Sequence, residues 1–140
     1  MTTTGLATLD HSLATTQEWL EDLREEMSLE DQEQALVVLR AVLHTLRDRL
    51  TIEETADFAA QLPMLLQGLY YHGWSPAGKP QRIRDRNEFL RLIAERLMGN
   101  RPPEDSARAV FKVLSRRMTA GQIDDVKAVL PAEICELWPE

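Results

Sequence analysis

Apolar residues recur at helical spacing along most of the chain. Leu9, Leu13, Thr16, Leu20, Leu23 and Met27 advance by alternating steps of four and three, which lays them along one stripe of a long helix. Farther on, Ala35, Leu36, Leu39, Val42, Leu43, Leu46 and Leu50 form an apolar face wide enough for a helix at the centre of a core. Ser28 with Asp31 offers that helix an N-terminal cap. Ile123, Val126, Leu130, Ile134 and Leu137 keep a single helical phase, as do Thr55, Phe58, Leu62, Leu66 and Leu69. No segment alternates with period two, and the apolar residues favour Leu and Ala over β-branched types, so the expected fold class is all-α.

Laid over itself, the chain repeats. Ala41 to Tyr70 overlies Ala109 to Trp138 without a gap, with identical pairs at Ala41/Ala109, Val42/Val110, Leu46/Leu114, Arg49/Arg117, Thr51/Thr119, Asp57/Asp125, Ala60/Ala128, Leu62/Leu130, Pro63/Pro131 and Leu69/Leu137. Upstream, Trp19, Leu20 and Leu23 correspond to Phe89, Leu90 and Ile93, with a two-residue length change between the blocks. Thr51 to Glu54 and Thr119 to Gln122 both match the capping box, in which a threonine oxygen takes an amide proton and the Glu or Gln side chain returns the bond. Pro63 and Pro131 each lack an amide proton and crowd the carbonyl four residues earlier, which predicts a kink or a break into two short helices. Pro102-Pro103-Glu104-Asp105 has the makings of a helix start. The expectation is two tandem copies of a three-to-four-helix unit, residues 1–71 and 87–140, packed about a pseudo-two-fold axis and joined by a connector at 72–86.

The charge is uneven. The net value of -7 argues against a general nucleic-acid binder, but the first 33 residues carry nine acids against the single base Arg24, while Lys79 to Arg117 is basic in balance. The two ends either present solvated faces or neutralise each other, within one molecule or across a dimer. No apolar run approaches the ~18 residues that would span a bilayer. The single cysteine, Cys135, cannot form an internal disulfide, and Met1 to Leu6 has neither the basic nor the apolar region of a signal peptide, so a reducing cytoplasm is the expected setting.

Leu39 to His44, Leu46 to Leu50, Gln61 to Leu65, Leu69-Tyr70-Tyr71 with Gly73-Trp74, and Val126 to Pro131 are similar to segments of the bacterial family called domain of unknown function 2267. The similarity covers nearly the whole chain, and Leu-Tyr-Tyr-x-Gly-Trp is its most specific stretch. It implies a small helical protein with no established activity and supplies no catalytic residue.

Candidate chemistry gathers at the connector. Tyr70, Tyr71, His72 and Trp74 stand beside Lys79, Arg82, Arg84 and Arg86, a combination suited to an aromatic pocket between the halves that takes an anionic ligand or acidic partner. The structural alternative stays open: Tyr70 occupies the place of Trp138 in the second copy and suits a core anchor, with Trp74 covering an exposed edge. Arg49 with Asp57, and Arg117 with Asp125, flank the capped joints and are expected to pair as braces. His44 and Asp48 are one helical turn apart, but without paired Cys or His spacing they read as structural rather than as metal ligands, and no metal or cofactor is expected. Glu133 and Glu136 beside Cys135 disfavour a thiolate nucleophile. No glycine-rich phosphate loop and no serine with a credible base is present. The leading expectation is a non-catalytic interaction protein that self-associates or docks a partner, the alternative a small-ligand binder near Tyr-Tyr-His-Gly-Trp.

Overall fold

The computed structural model describes residues 4–140, so the expectation about a leader segment rests partly on residues 1–3, which lie outside the described part. Among the described residues the chain forms eight α-helices and no strand: α1 (Ala7–Met27), α2 (Gln32–Arg49), α3 (Ile52–Ala59), α4 (Met64–Tyr71), α5 (Arg86–Arg96), α6 (Pro103–Arg117), α7 (Ala120–Ala128) and α8 (Ala132–Cys135). None is long and apolar enough to cross a membrane.

The helix ends show why the chain is cut where it is. Asp31 caps α2 by accepting the amide proton of Gln34 at 2.9 Å. Ser28, expected to share that role, instead ends α1 in the left-handed conformation (φ 54°), where the amide of Leu29 reaches back to the carbonyl of Arg24 and buried Leu29 seals the turn. Pro103 opens α6 with Glu104 and Asp105 in its first turn, as anticipated. Asp85 caps α5, so that helix begins at Arg86, within the expected connector.

Thr51 and Thr119 cap α3 and α7 by accepting the amides of Glu54 and Gln122 at 3.1 and 3.2 Å. The return half of the expected capping boxes does not form. The Gln122 side chain instead donates its amide to the buried Glu54 carboxylate, because α3 and α7 pack together and bring those side chains face to face. Pro63 and Pro131 break rather than kink: each stands just before a new helix, α4 or α8.

α2 is the central element, in contact with α1, α4, α5 and α6, while α6 also meets α1 and α5. Leu39, Val42, Leu43 and Leu46 of α2 and Leu50 at its C-cap are all enclosed, as expected; Leu36 is not. Rings anchor two parts of the core, Tyr70 stacking on Phe58 at 5.3 Å and Trp138 lying flat on Phe111 at 4.0 Å. The charge asymmetry closes on itself within the molecule. Glu26 of α1 binds Lys112 and Arg116 of α6 at 3.1 and 2.7 Å, and Asp22 binds Arg117 at 2.7 Å. Arg116 and then Lys112 hold the Glu26 carboxyl below the usual carboxylate range.

Candidate functional site

A helix end leaves its last carbonyls without intrahelical partners, and α4 ends against the side of α2. Three α2 residues that should face solvent in a simple amphipathic helix are therefore buried there: His44, Arg47 and Asp48. The His44 ring lies with Nε2 2.7 Å from the Leu69 carbonyl, so that nitrogen carries the proton and donates it. Arg47 donates one terminal nitrogen to the carbonyls of Tyr70 and His72. The C-terminus of α4 is thus capped by side chains of a different helix, with a cation at the negative end of its dipole.

Asp48 balances part of this charge. Its carboxylate accepts from Arg47 Nε at 3.1 Å and from Arg96 of α5 at 2.9 Å, while Arg96 also donates to the Thr45 hydroxyl. The Asp48 backbone carbonyl accepts the amide of Gln81 at 2.6 Å, and Arg49 donates to the carbonyl of Ile83 at 2.8 Å, so the connector is laced to the same turn of α2. Ile83 itself is buried. Burial first, and then the positive charges of Arg47, Arg96 and Arg40, push the His44 pKa down to about 4, despite the opposing bond to Leu69. Burial also lowers the pKa of Arg47.

The expected aromatic site is distributed rather than gathered. Tyr70 is fully enclosed, with its hydroxyl donating to the Thr55 carbonyl at 3.2 Å and its pKa raised by burial. Tyr71 sets an edge against Tyr70 and lies 5.8 Å from the Trp74 ring, and both are partly open to solvent. The buried indole nitrogen of Trp74 has no acceptor among the described residues. His72 turns to a groove between α2 and α4, whereas Arg82 and Arg84 line a separate shallow surface with Arg49 and Pro131. Lys79 is half-buried, and Arg86 pairs with Glu136 at 2.8 Å.

The expected braces are rearranged. Arg49 serves the connector carbonyl of Ile83 instead of Asp57, and Arg117 goes to Asp22 and Glu18 of α1 instead of Asp125. A carbonyl or carboxylate from a neighbouring element outcompetes the aspartate across each joint. In the last helix, burial raises the Cys135 thiol pKa, and its sulfur lies against the Lys127 carbonyl.

One groove lies outside the expected sites. Leu36, Val37 and Arg40 on α2 face Gly68, Leu69 and His72 of α4 across a groove of about 560 Å³. Added carbon at Gly68 would meet no atom within 4 Å. A smaller recess of about 210 Å³ adjoins it, sharing Val37 and Arg40 and adding Ala41, His44 and Arg96. The signal was present in the sequence: Ala35 to Leu39 is an unbroken apolar run, longer than one helix face can hide, so some of it must look outward.

Fold and surface together define a class: an all-helical protein with a cross-capped interior and an open apolar groove edged by arginine and histidine. The chain belongs to the family of uncharacterized conserved proteins DUF2267, whose model matches residues 16–137. No curated protein matches the chain.

Proposed function

We propose that the protein is a non-catalytic interaction module whose docking face is the groove between α2 and α4, filled by an acidic amphipathic helix of a partner protein. One observation carries this reading. Two of the eight large hydrophobic side chains exposed among the described residues, Leu36 and Val37, line this groove, and three more, Met64, Leu65 and Tyr71, are exposed on α4, which forms its other wall. Monomeric proteins seldom leave a contiguous apolar patch open unless something covers it. A groove between two helices, floored by a glycine, suits the apolar stripe of a third. Its lining carries Arg40 and His72 and no carboxylate, although the chain as a whole has a net charge of -7, which favours an acidic occupant. The two groups best suited to acid–base or nucleophilic work are detuned, His44 downward and Cys135 upward.

A synthetic amphipathic helix with leucines at i, i+3 and i+7 and flanking glutamates supplies the test. Fluorescence anisotropy should show saturable binding to the full chain, weakened about tenfold or more by Val37→Glu. Equal affinity for that variant would remove the face from consideration. Light scattering completes the test: a concentration-dependent dimer abolished by Val37→Glu would assign the groove to a second copy of the chain.

The two-unit organisation, residues 1–71 and 87–140 about the connector, belongs to the same proposal. It is supported by the pattern of contacts, in which α1 meets α6 as α5 meets α2, and α3 meets α7. A cytoplasmic setting is supported by the free thiol of Cys135.

A further inference from the structure

Beside the docking groove, positive charge is left over. Arg40, Arg47 and Arg96 all act on His44, yet among the described residues the one carboxylate bonded to this group is Asp48, which serves Arg47 and Arg96 together. Arg47 is spent on the α4 carbonyls and is almost wholly enclosed. Arg96 gives two of its donors to Thr45 and Asp48, and a guanidinium has five. The Arg40 side chain makes no hydrogen bond or ion pair among the described residues. Arg40 and Arg96, with Val37, Ala41 and His44, therefore line a recess that has no carboxylate among its described lining residues. Two guanidinium groups on one concave wall raise the local positive potential and attract a counter-ion.

We propose that this recess between α2 and α5 is an oxyanion-binding site, in which Arg40 and the free donors of Arg96 hold a carboxylate or a phosphate group. Its volume of about 210 Å³ accommodates such a group with a few waters. Planar, forked donors suit both chemistries. The anion is either free in solution or the side-chain carboxylate of a docked helix, since the recess and the groove share Val37 and Arg40. The second source rests on the docking reading above; the first does not.

Inorganic phosphate and a glutamate-bearing amphipathic peptide are the two probes, followed by NMR on the full chain at constant ionic strength. With phosphate, the Arg40 and Arg96 side-chain signals should shift saturably, and His44 should titrate above its free-protein value of about 4 because a bound anion favours its charged form. Arg40→Gln, at an exposed position with no partner to lose, should weaken binding about tenfold, while Arg91→Gln, an exposed arginine of α5 outside the recess, should leave it unchanged. For the peptide, exchanging its glutamates for glutamine should reproduce the loss seen with Arg40→Gln. Phosphate binding without peptide binding supports the site with a free anion and sinks the docking reading. Peptide binding that ignores both the Glu-to-Gln exchange and Arg40→Gln, with no phosphate response, overturns the oxyanion site and leaves docking standing. Equal weakening by Arg40→Gln and Arg91→Gln also overturns it, by showing general charge attraction.

Discussion

His44 is held in a form that acid should break. Its folded pKa lies near 4 against an ordinary value of 6.5, so the unfolded chain takes up a proton first as pH falls. The stability this residue contributes is complete above about pH 6.5 and is lost on descending toward pH 4, by up to about 3 kcal/mol. Urea unfolding at pH 7 and pH 4.5 should show a drop that His44→Gln reduces, since glutamine keeps a donor for the Leu69 carbonyl but does not titrate; an unaltered drop would place the pH dependence elsewhere. This role was only partly legible in the sequence. A histidine, an arginine and an aspartate within one helical turn look like a solvated face, and only the enclosure of α2 on several sides turns them inward. Once inside, each must find a partner, and the carbonyls at the end of α4 supply them.

Among the elements, α4 combines structural weakness with outward display. It has eight residues, and Gly68 stands in its middle with an ordinary helical backbone and open space around it. Gly68→Ala should therefore stabilise the protein by about 0.5–1 kcal/mol, measured as a higher denaturant midpoint with an unchanged slope. Destabilisation would mean that the helix needs the glycine for a reason not visible in its geometry. Boundaries were easiest to read where chemistry forbids continuation: both prolines and both threonine caps fall at the expected residues. The capping-box return bonds and the Arg49 and Arg117 braces failed for a common reason. Local spacing shows which groups are within reach along the chain, but not which competitor a neighbouring helix will bring closer. The unbroken run from Ala35 to Leu39 requires that some apolar side chains look outward, but periodicity alone does not say that the groove beside α4 is where they do.

For the whole molecule, the sequence made the helical class and the charge asymmetry legible but left open where the charges would meet. They meet between α1 and α6. The contact between α3 and α7 bears on the proposed two-unit organisation. Glu54 and Gln122 occupy the same place in the overlaid copies and hydrogen-bond each other. Burial first, with Asp57, Asp125 and Glu53 adding to it, raises the Glu54 pKa, so its contribution to stability is greatest below the ordinary carboxylate pKa and declines as pH rises through the folded value. Gln122→Glu should place two carboxylates in contact and cost about 1–3 kcal/mol at pH 7, with partial recovery at pH 5. The double exchange Glu54→Gln with Gln122→Glu should restore most of the loss in thermal or urea unfolding. If it does not, the two positions are not interchangeable and the proposed axis does not relate them.

That pair has a consequence for ancestry. A residue on a two-fold axis of a homodimer meets its own twin, so any acid placed there confronts an acid and any substitution is made twice. Within a single polypeptide the two places can diverge independently, and a carboxylate can face an amide that accommodates it. If separate identical units preceded this chain, the Glu54–Gln122 contact is an arrangement they had no means of reaching, and joining them end to end is what opened it.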